Sequence, residues 1–123
     1  MKRDMELCRK ILFAIEEQYV DVAIHNLKIE GYSMEQVAYH CKILHEAGLI
    51  SDYKPLPGGN HIISFGVGSI TWNGHEYLDT IRQESRWNEI KAQIASKSLP
   101  MTIDVITKVA SSSIAEAIKK IFN

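Results

Sequence analysis

The run Gly31-Tyr32-Ser33-Met34-Glu35-Gln36 constrains the fold more than any other stretch of the chain. Ser33 is placed to accept from the amide three residues on, and the Gln36 side chain is placed to answer at the Ser33 amide, the reciprocal pairing that closes the first turn of a helix. Behind it Val37, Cys41 and Leu44 recur at intervals of four and three, with Ser33, His40 and Gly48 at the margins of the stripe. Ala47-Gly48-Leu49-Ile50 then supplies a glycine stop and an apolar return. A helix over 34–47 follows. Its stripe turns inward, which leaves Tyr39 and Ile43, one turn apart with Gln36 beside them, on the opposite side, either as an intermolecular surface or as a face that the C-terminal helices fold back to cover.

The flanking text is read the same way. Asp4 is placed to cap a helix over 5–18 whose apolar positions Met5, Cys8, Leu12 and Ile15, widened by Ile11, share one face. From Tyr19 to Glu30 the residues Val20, Val22, Ile24, Leu27 and Ile29 fit neither period, and the segment reads as a short strand or irregular connector. Beyond the central helix, Ser51 to Asn60 carries Pro55, Pro57 and Gly58-Gly59, the marks of a turn or exposed loop, before the strand-like His61-Ile62-Ile63-Ser64-Phe65. Ser69-Ile70 extends this strand or opens another. Thr71 caps a helix expected to run to about 84, with Trp72, His75, Leu78 and Ile81 near one face. Trp72 and Trp87, at helical spacing among Leu78, Ile81 and Ile90, read as core or interface aromatics. The remainder reads as helices over 86–96, 101–110 and 112–122, broken at Ser98-Leu99-Pro100 and at Ser111-Ser112-Ser113.

Charge separates the function classes. The 123 residues carry a net charge of -1, so no global field draws the chain to nucleic acid or anionic lipid. Residues 1–10 are net +2, residues 11–52 net -5, residues 53–84 net -1 and residues 85–123 net +3. The central helix offers Lys42 as its cation and the hairpin offers Lys54, a poor supply for phosphate contacts. No apolar run approaches the length of a membrane span, and no signal-type stretch opens the chain, so a cytoplasmic protein is expected.

Chemistry-bearing motifs are sparse. Cys41 and His45 lie four apart on a helix, but two ligands do not make a metal site, and Cys8 and Cys41 sit on apolar stripes as small buried thiols do. His40, beside the core stripe, reads as a hydrogen-bonded packing residue. Pro57-Gly58-Gly59-Asn60 lacks the Lys-Ser/Thr of a phosphate loop and opens a strand. No Gly-x-Ser-x-Gly is present. The expectation is no enzyme, no catalytic residue, no metal and no cofactor.

Helix, extended piece, helix, hairpin, helix is the order of a winged helix without a well-formed middle helix. Val37 to Ile50 resembles the reading helix and exit of bacterial winged-helix repressors of the metal-sensor type, with Cys41 where those proteins usually have Leu. Ile70-Thr71-Trp72-Asn73-Gly74-His75-Glu76-Tyr77-Leu78 resembles the segment that follows their wing. Met1-Lys2-Arg3-Asp4-Met5-Glu6-Leu7, the Gly31-Tyr32-Ser33 to Ile50 block and Thr71-Trp72 to Asp79 followed by Trp87 together resemble a family of bacterial and prophage proteins built on a domain of unknown function. That resemblance implies a winged-helix-like fold and carries no catalytic residues.

The expected fold is α+β and mainly helical. A winged-helix-like core over 1–85 comprises helix, short strand or connector, helix, β-hairpin wing and helix, and C-terminal amphipathic helices over 86–123 pack on it or on a second chain. The candidate contacts for duplex DNA or a protein partner are Gln36, Tyr39, Lys42, Ile43, Lys54, Asn60 and His61. Ile114, Ile118 and Ile121 share a stripe suited to a homodimer or to the chain's own domain. Two readings result: a DNA-binding or regulatory winged-helix protein, and a protein-interaction module on the same scaffold.

Overall fold

A computed structural model describes the backbone of residues 1–122 and the side chains of residues 1–112. The chain divides into two compact units, Met1–Leu78 and Asp79–Asn123. The described fold is α+β and mainly helical, five helices with one three-stranded antiparallel sheet.

In the first unit, α1 (Met5–Gln18) starts where Asp4 accepts from the amides of Glu6 at 2.9 Å and Leu7 at 3.3 Å. Its stripe of Met5, Cys8, Ile11, Leu12 and Ile15 is buried throughout. The segment that fits neither period becomes β1 (Ile24–His25), a two-residue strand, and an irregular run up to Ser33. Helix α2 (Met34–Glu46) opens with both bonds of the predicted box, Ser33 N–H to Gln36 Oε1 at 2.9 Å and Gln36 N–H to Ser33 Oγ at 3.2 Å. Val37, Cys41 and Leu44 are buried as the stripe requires, and Gly48, at φ +80°, turns the chain out of the helix.

Strands β2 (Tyr53–Gly58) and β3 (His61–Val67) form the hairpin, and β3 is central in the order β1-β3-β2. The sequence expectation of a loop through Asn60 needs correction here. Pro55, Pro57 and Gly58 lie within β2, and the turn is only Gly59-Asn60, with Gly59 at φ +66°. Proline is tolerated because β2 is an edge strand, and the register slips between Leu56 and Pro57. Ser69-Ile70 forms no third strand of the hairpin; Ile70 makes an isolated bridge to Ile50. Helix α3 (Trp72–Thr80) then begins under Thr71, whose hydroxyl accepts from Gly74 N–H at 3.0 Å.

Two further boundaries are corrected. Helix α3 ends at Thr80 rather than near 84, and α4 (Glu84–Ser96) starts after Gln83, which makes no side-chain cap bond and so leaves no signature in the sequence. The two expected C-terminal pieces are one helix, α5 (Ile103–Phe122), through Ser111-Ser112-Ser113. Serine is only a weak helix former, and without Gly or Pro three in a row do not break a helix. In this second unit α4 packs on α5, with Trp87, Ile90 and Ile94 facing inward and Ile106 and Ala110 buried.

Tests of this architecture fall on a cap and on a close approach. Asp4→Ala is expected to lower stability in urea unfolding by about 1 kcal/mol, the usual loss for an N-cap acceptor. Gly74→Ala is expected to lower it by roughly 1–3 kcal/mol through overpacking, because a methyl there would collide with the Leu49 carbonyl and the Ile70 side chain.

Candidate functional site

The candidate contact surface is built on α2, and its orientation is set by His40. The ring is buried and bonded at both nitrogens: Nδ1 donates to the Gln36 carbonyl at 2.7 Å and Nε2 accepts from the Asp4 amide at 2.8 Å. The packing role expected for His40 is therefore observed, with a second consequence. The start of α1 is pinned beside the second turn of α2.

On the outward side of α2, Gln36 and Lys42 are exposed and Tyr39 and Ile43 are half-buried. Glu35 and Glu46 are exposed around them, so Lys42 is set among carboxylates. The Tyr39 ring meets the His40 ring edge-on at 5.6 Å between centroids, which holds the phenol in place. These four side chains share one surface.

The hairpin candidates do not form one cluster. Lys54 pairs across the sheet with Gly66 at the hairpin base, and its ammonium is 3.5 Å from the Asp52 carboxylate. Asn60 and His61 are exposed at the turn, roughly 13 Å further along the strand at about 3.3 Å per residue. The side chains of Ile114, Ile118 and Ile121 lie outside the described residues. Cys41 is buried and His45 exposed, so the two do not share a surface. Among the described residues, no three His, Cys, Asp or Glu side chains converge as metal ligands would.

One concavity adjoins α2 and another lies on the sheet. Where a helix-turn-helix would carry its first helix, residues 26–33 make a turn in which Tyr32 N–H donates to Ile29 O at 3.2 Å with Gly31 at φ +88°. They leave a cleft of about 440 Å³ lined by residues 26–32, Met34 and Val37. A smaller one of about 300 Å³ lies on the outer face of the sheet, between His25, Lys54, Leu56 and Ser64.

The two tryptophans, both expected in a core or interface, differ. Trp72 is 79% exposed and so is not a core aromatic, whereas Trp87 is fully buried. The spacing that placed Trp72 with Leu78 and Ile81 was drawn on a helix running to 84; α3 ends at Thr80 and its first residue looks out. Val20 and Val22 are exposed as well.

The match of residues 2–100 to a single protein family decides the relationship. The chain belongs to the family of hypothetical proteins termed DUF2513. The DUF2513 match includes almost all of the first unit and the whole of α4. A Haemophilus influenzae protein described as "Uncharacterized protein" is 40% identical over 121 residues, covering 94% of this chain and 98% of its own. No solved structure matches. Within this DUF2513 chain no helix of the described residues is long and apolar enough to cross a membrane.

The cysteines have their own chemistry. Burial pushes each thiol from 9.0 up to about 12, with the opposing pull of Arg3 on Cys8 the smaller effect. Burial raises the Tyr77 hydroxyl too. The expectation is that neither thiol of the folded protein reacts with a disulfide reagent at pH 8 and both react in denaturant, because the thiolate is the nucleophile. As a group ionising near 9 in the unfolded chain and near 12 when folded, each cysteine favours unfolding progressively between those values. Stability measured by urea unfolding should therefore fall as pH rises above 9.

Proposed function

We propose that this DUF2513 protein is a non-enzymatic protein-docking module on a winged-helix-like scaffold, and that the outward side of α2 is its contact surface, with a second copy of the chain as partner. One observation carries the reading. Half-exposed Tyr39 and Ile43 stand between charges of both signs, Lys42 against Glu35 and Glu46. Such a face is self-complementary: two α2 helices set antiparallel about a two-fold axis near Tyr39 bring Lys42 of each copy to Glu35 of the other, with the tyrosines and isoleucines between them. The same charges weigh against duplex DNA, whose affinity rests on cations facing phosphate.

Duplex DNA is the second reading. The strand order β1-β3-β2 with an exposed hairpin, and Lys42 exposed on the outward side of α2, favour it. Against it stand the Lys54–Asp52 pair and the irregular run 26–33 where the supporting helix of the motif would cross the backbone.

A charge-swap series separates the two. Sedimentation of the full chain over a range of concentrations is expected to show a dimer that Lys42→Glu and Glu35→Lys each weaken about tenfold and that the double variant restores. Binding to random duplex DNA at low salt is expected to be absent. If Glu35→Lys instead strengthens a salt-sensitive DNA complex that Lys42→Glu abolishes, the docking reading is overturned in favour of DNA.

A further inference from the structure

The cleft of about 440 Å³ beside the first turn of α2 is of ligand size, since pockets for small molecules run from roughly 300 to 1,000 Å³. Its lining is mainly apolar: Leu27 and Val37 are buried, and Ile29, Tyr32 and Met34 are half-buried. The irregular backbone that forms one wall is held at both ends. Asn26 exchanges two hydrogen bonds with the main chain of Phe65 in β3, and Tyr32 N–H donates to Ile29 O just before the Ser33 cap. A cleft whose wall is already fixed loses little freedom on taking up a ligand.

Two charges of opposite sign line the same cleft, Lys28 and Glu30, one on each side of Ile29 in the chain. Both are exposed, and among the described residues neither is in an ion pair. They pair neither with each other nor with Lys10 or Glu17, which line the adjoining, shallower concavity that shares residues 28–30. The surround is thus mixed in sign and matches neither a purely cationic nor a purely anionic partner. An unpaired ammonium and an unpaired carboxylate beside one apolar cleft match a compact ligand that carries both charges.

We propose that this cleft binds a free α-amino acid with a large apolar side chain. The carboxylate of the ligand meets Lys28, its ammonium meets Glu30, and its side chain enters among Leu27, Tyr32, Met34 and Val37. Each charge then gains a charge-assisted hydrogen bond, and burial of the apolar side chain supplies the rest of the affinity. A peptide terminus brings one of the two charges without the other, and nucleic acid brings no cation, so both fit less well. The site uses none of Gln36, Tyr39, Lys42 and Ile43 and is independent of the docking surface on α2.

The experiment is a calorimetric titration of the full chain with L-phenylalanine and L-leucine. The controls are L-phenylalaninamide, which lacks the carboxylate, and N-acetyl-L-phenylalanine, which lacks the ammonium. L-Phenylalanine is expected to bind with a Kd of about 1 mM or tighter, and each control about tenfold more weakly. Lys28→Gln and Glu30→Gln, both exposed at the rim, should each weaken binding about tenfold, and Met34→Trp, which fills the apolar end, should remove it. Glu17→Gln in the adjoining concavity and Lys42→Glu on the outward side of α2 should leave it unchanged. Unaltered thermal midpoints of the unliganded Lys28→Gln and Glu30→Gln variants show that they read binding rather than folding. Absence of binding by both amino acids at about 10 mM overturns the proposal, as does a control that binds as tightly as L-phenylalanine. So does loss of binding with Glu17→Gln but not with Met34→Trp, which would move the site to the adjoining concavity.

Discussion

The buried ring of His40 joins the two helices on which the first unit depends. Its two bonds are compatible with only one form of the side chain, the neutral tautomer with the proton on Nδ1, since the Gln36 carbonyl needs a donor and the Asp4 amide needs an acceptor. The second bond joins residues 36 positions apart and fixes both the start of α1 and the rotation of α2 about its own axis. With His40 directed at α1 and Val37, Cys41 and Leu44 buried, the remaining arc of α2 contains Gln36, Tyr39, Lys42 and Ile43. The outward face of α2 is thus a geometric consequence of where the core side chains have to go.

Features decided within four residues were legible in the sequence. The Asp4 cap, the Ser33–Gln36 box and the Gly48 exit each rest on side chains and amides of one helix turn, and each is found where the pattern places it. The inward stripe of α2 was legible for the same reason. What escaped is what tertiary packing decides. The α3–α4 break at Gln83 has no cap bond to announce it, and the serine run within α5 is outweighed by the helix on both sides. Trp72 belongs to this group, because whether a helix's first residue faces in or out depends on how the preceding bridge, Ile50 to Ile70, aims the helix.

Of the candidate residues, those of α2 lie together on its outward side, and those of the hairpin do not join them. Segment totals of charge are informative only until the fold rearranges them. The +2 of residues 1–10 and the -5 of residues 11–52 are brought together where the Asp4 amide meets His40. Lys10 stands over the Tyr32 ring at 5.5 Å, next to the α2 cap, and Lys54 is drawn to Asp52. Exposed pairs of this kind are worth little in stability, but they decide which charges face a partner.

The hairpin leaves little main chain open for pairing along its edges. Pro55 is paired with Phe65, whose main-chain groups point the other way, toward Asn26: Phe65 N–H donates to Asn26 Oδ1 at 2.9 Å, and Asn26 N–H donates to Phe65 O at 2.8 Å. The position where Pro55 lacks an N–H therefore faces outward, and strand addition to β2 is interrupted there. On the opposite side β1 has only two residues, and Asn26 occupies the next ladder position with its side chain. Further out, Ser64 pairs with Leu56 and Ile62 with Pro57, so Ile63 has no partner across the ladder, and the resulting bulge bends the strand away from a straight template. Main-chain pairing along both edges of the sheet is thus interrupted, and the exposed apolar groups of the hairpin, Leu56 and Ile63, are side chains rather than ladder positions.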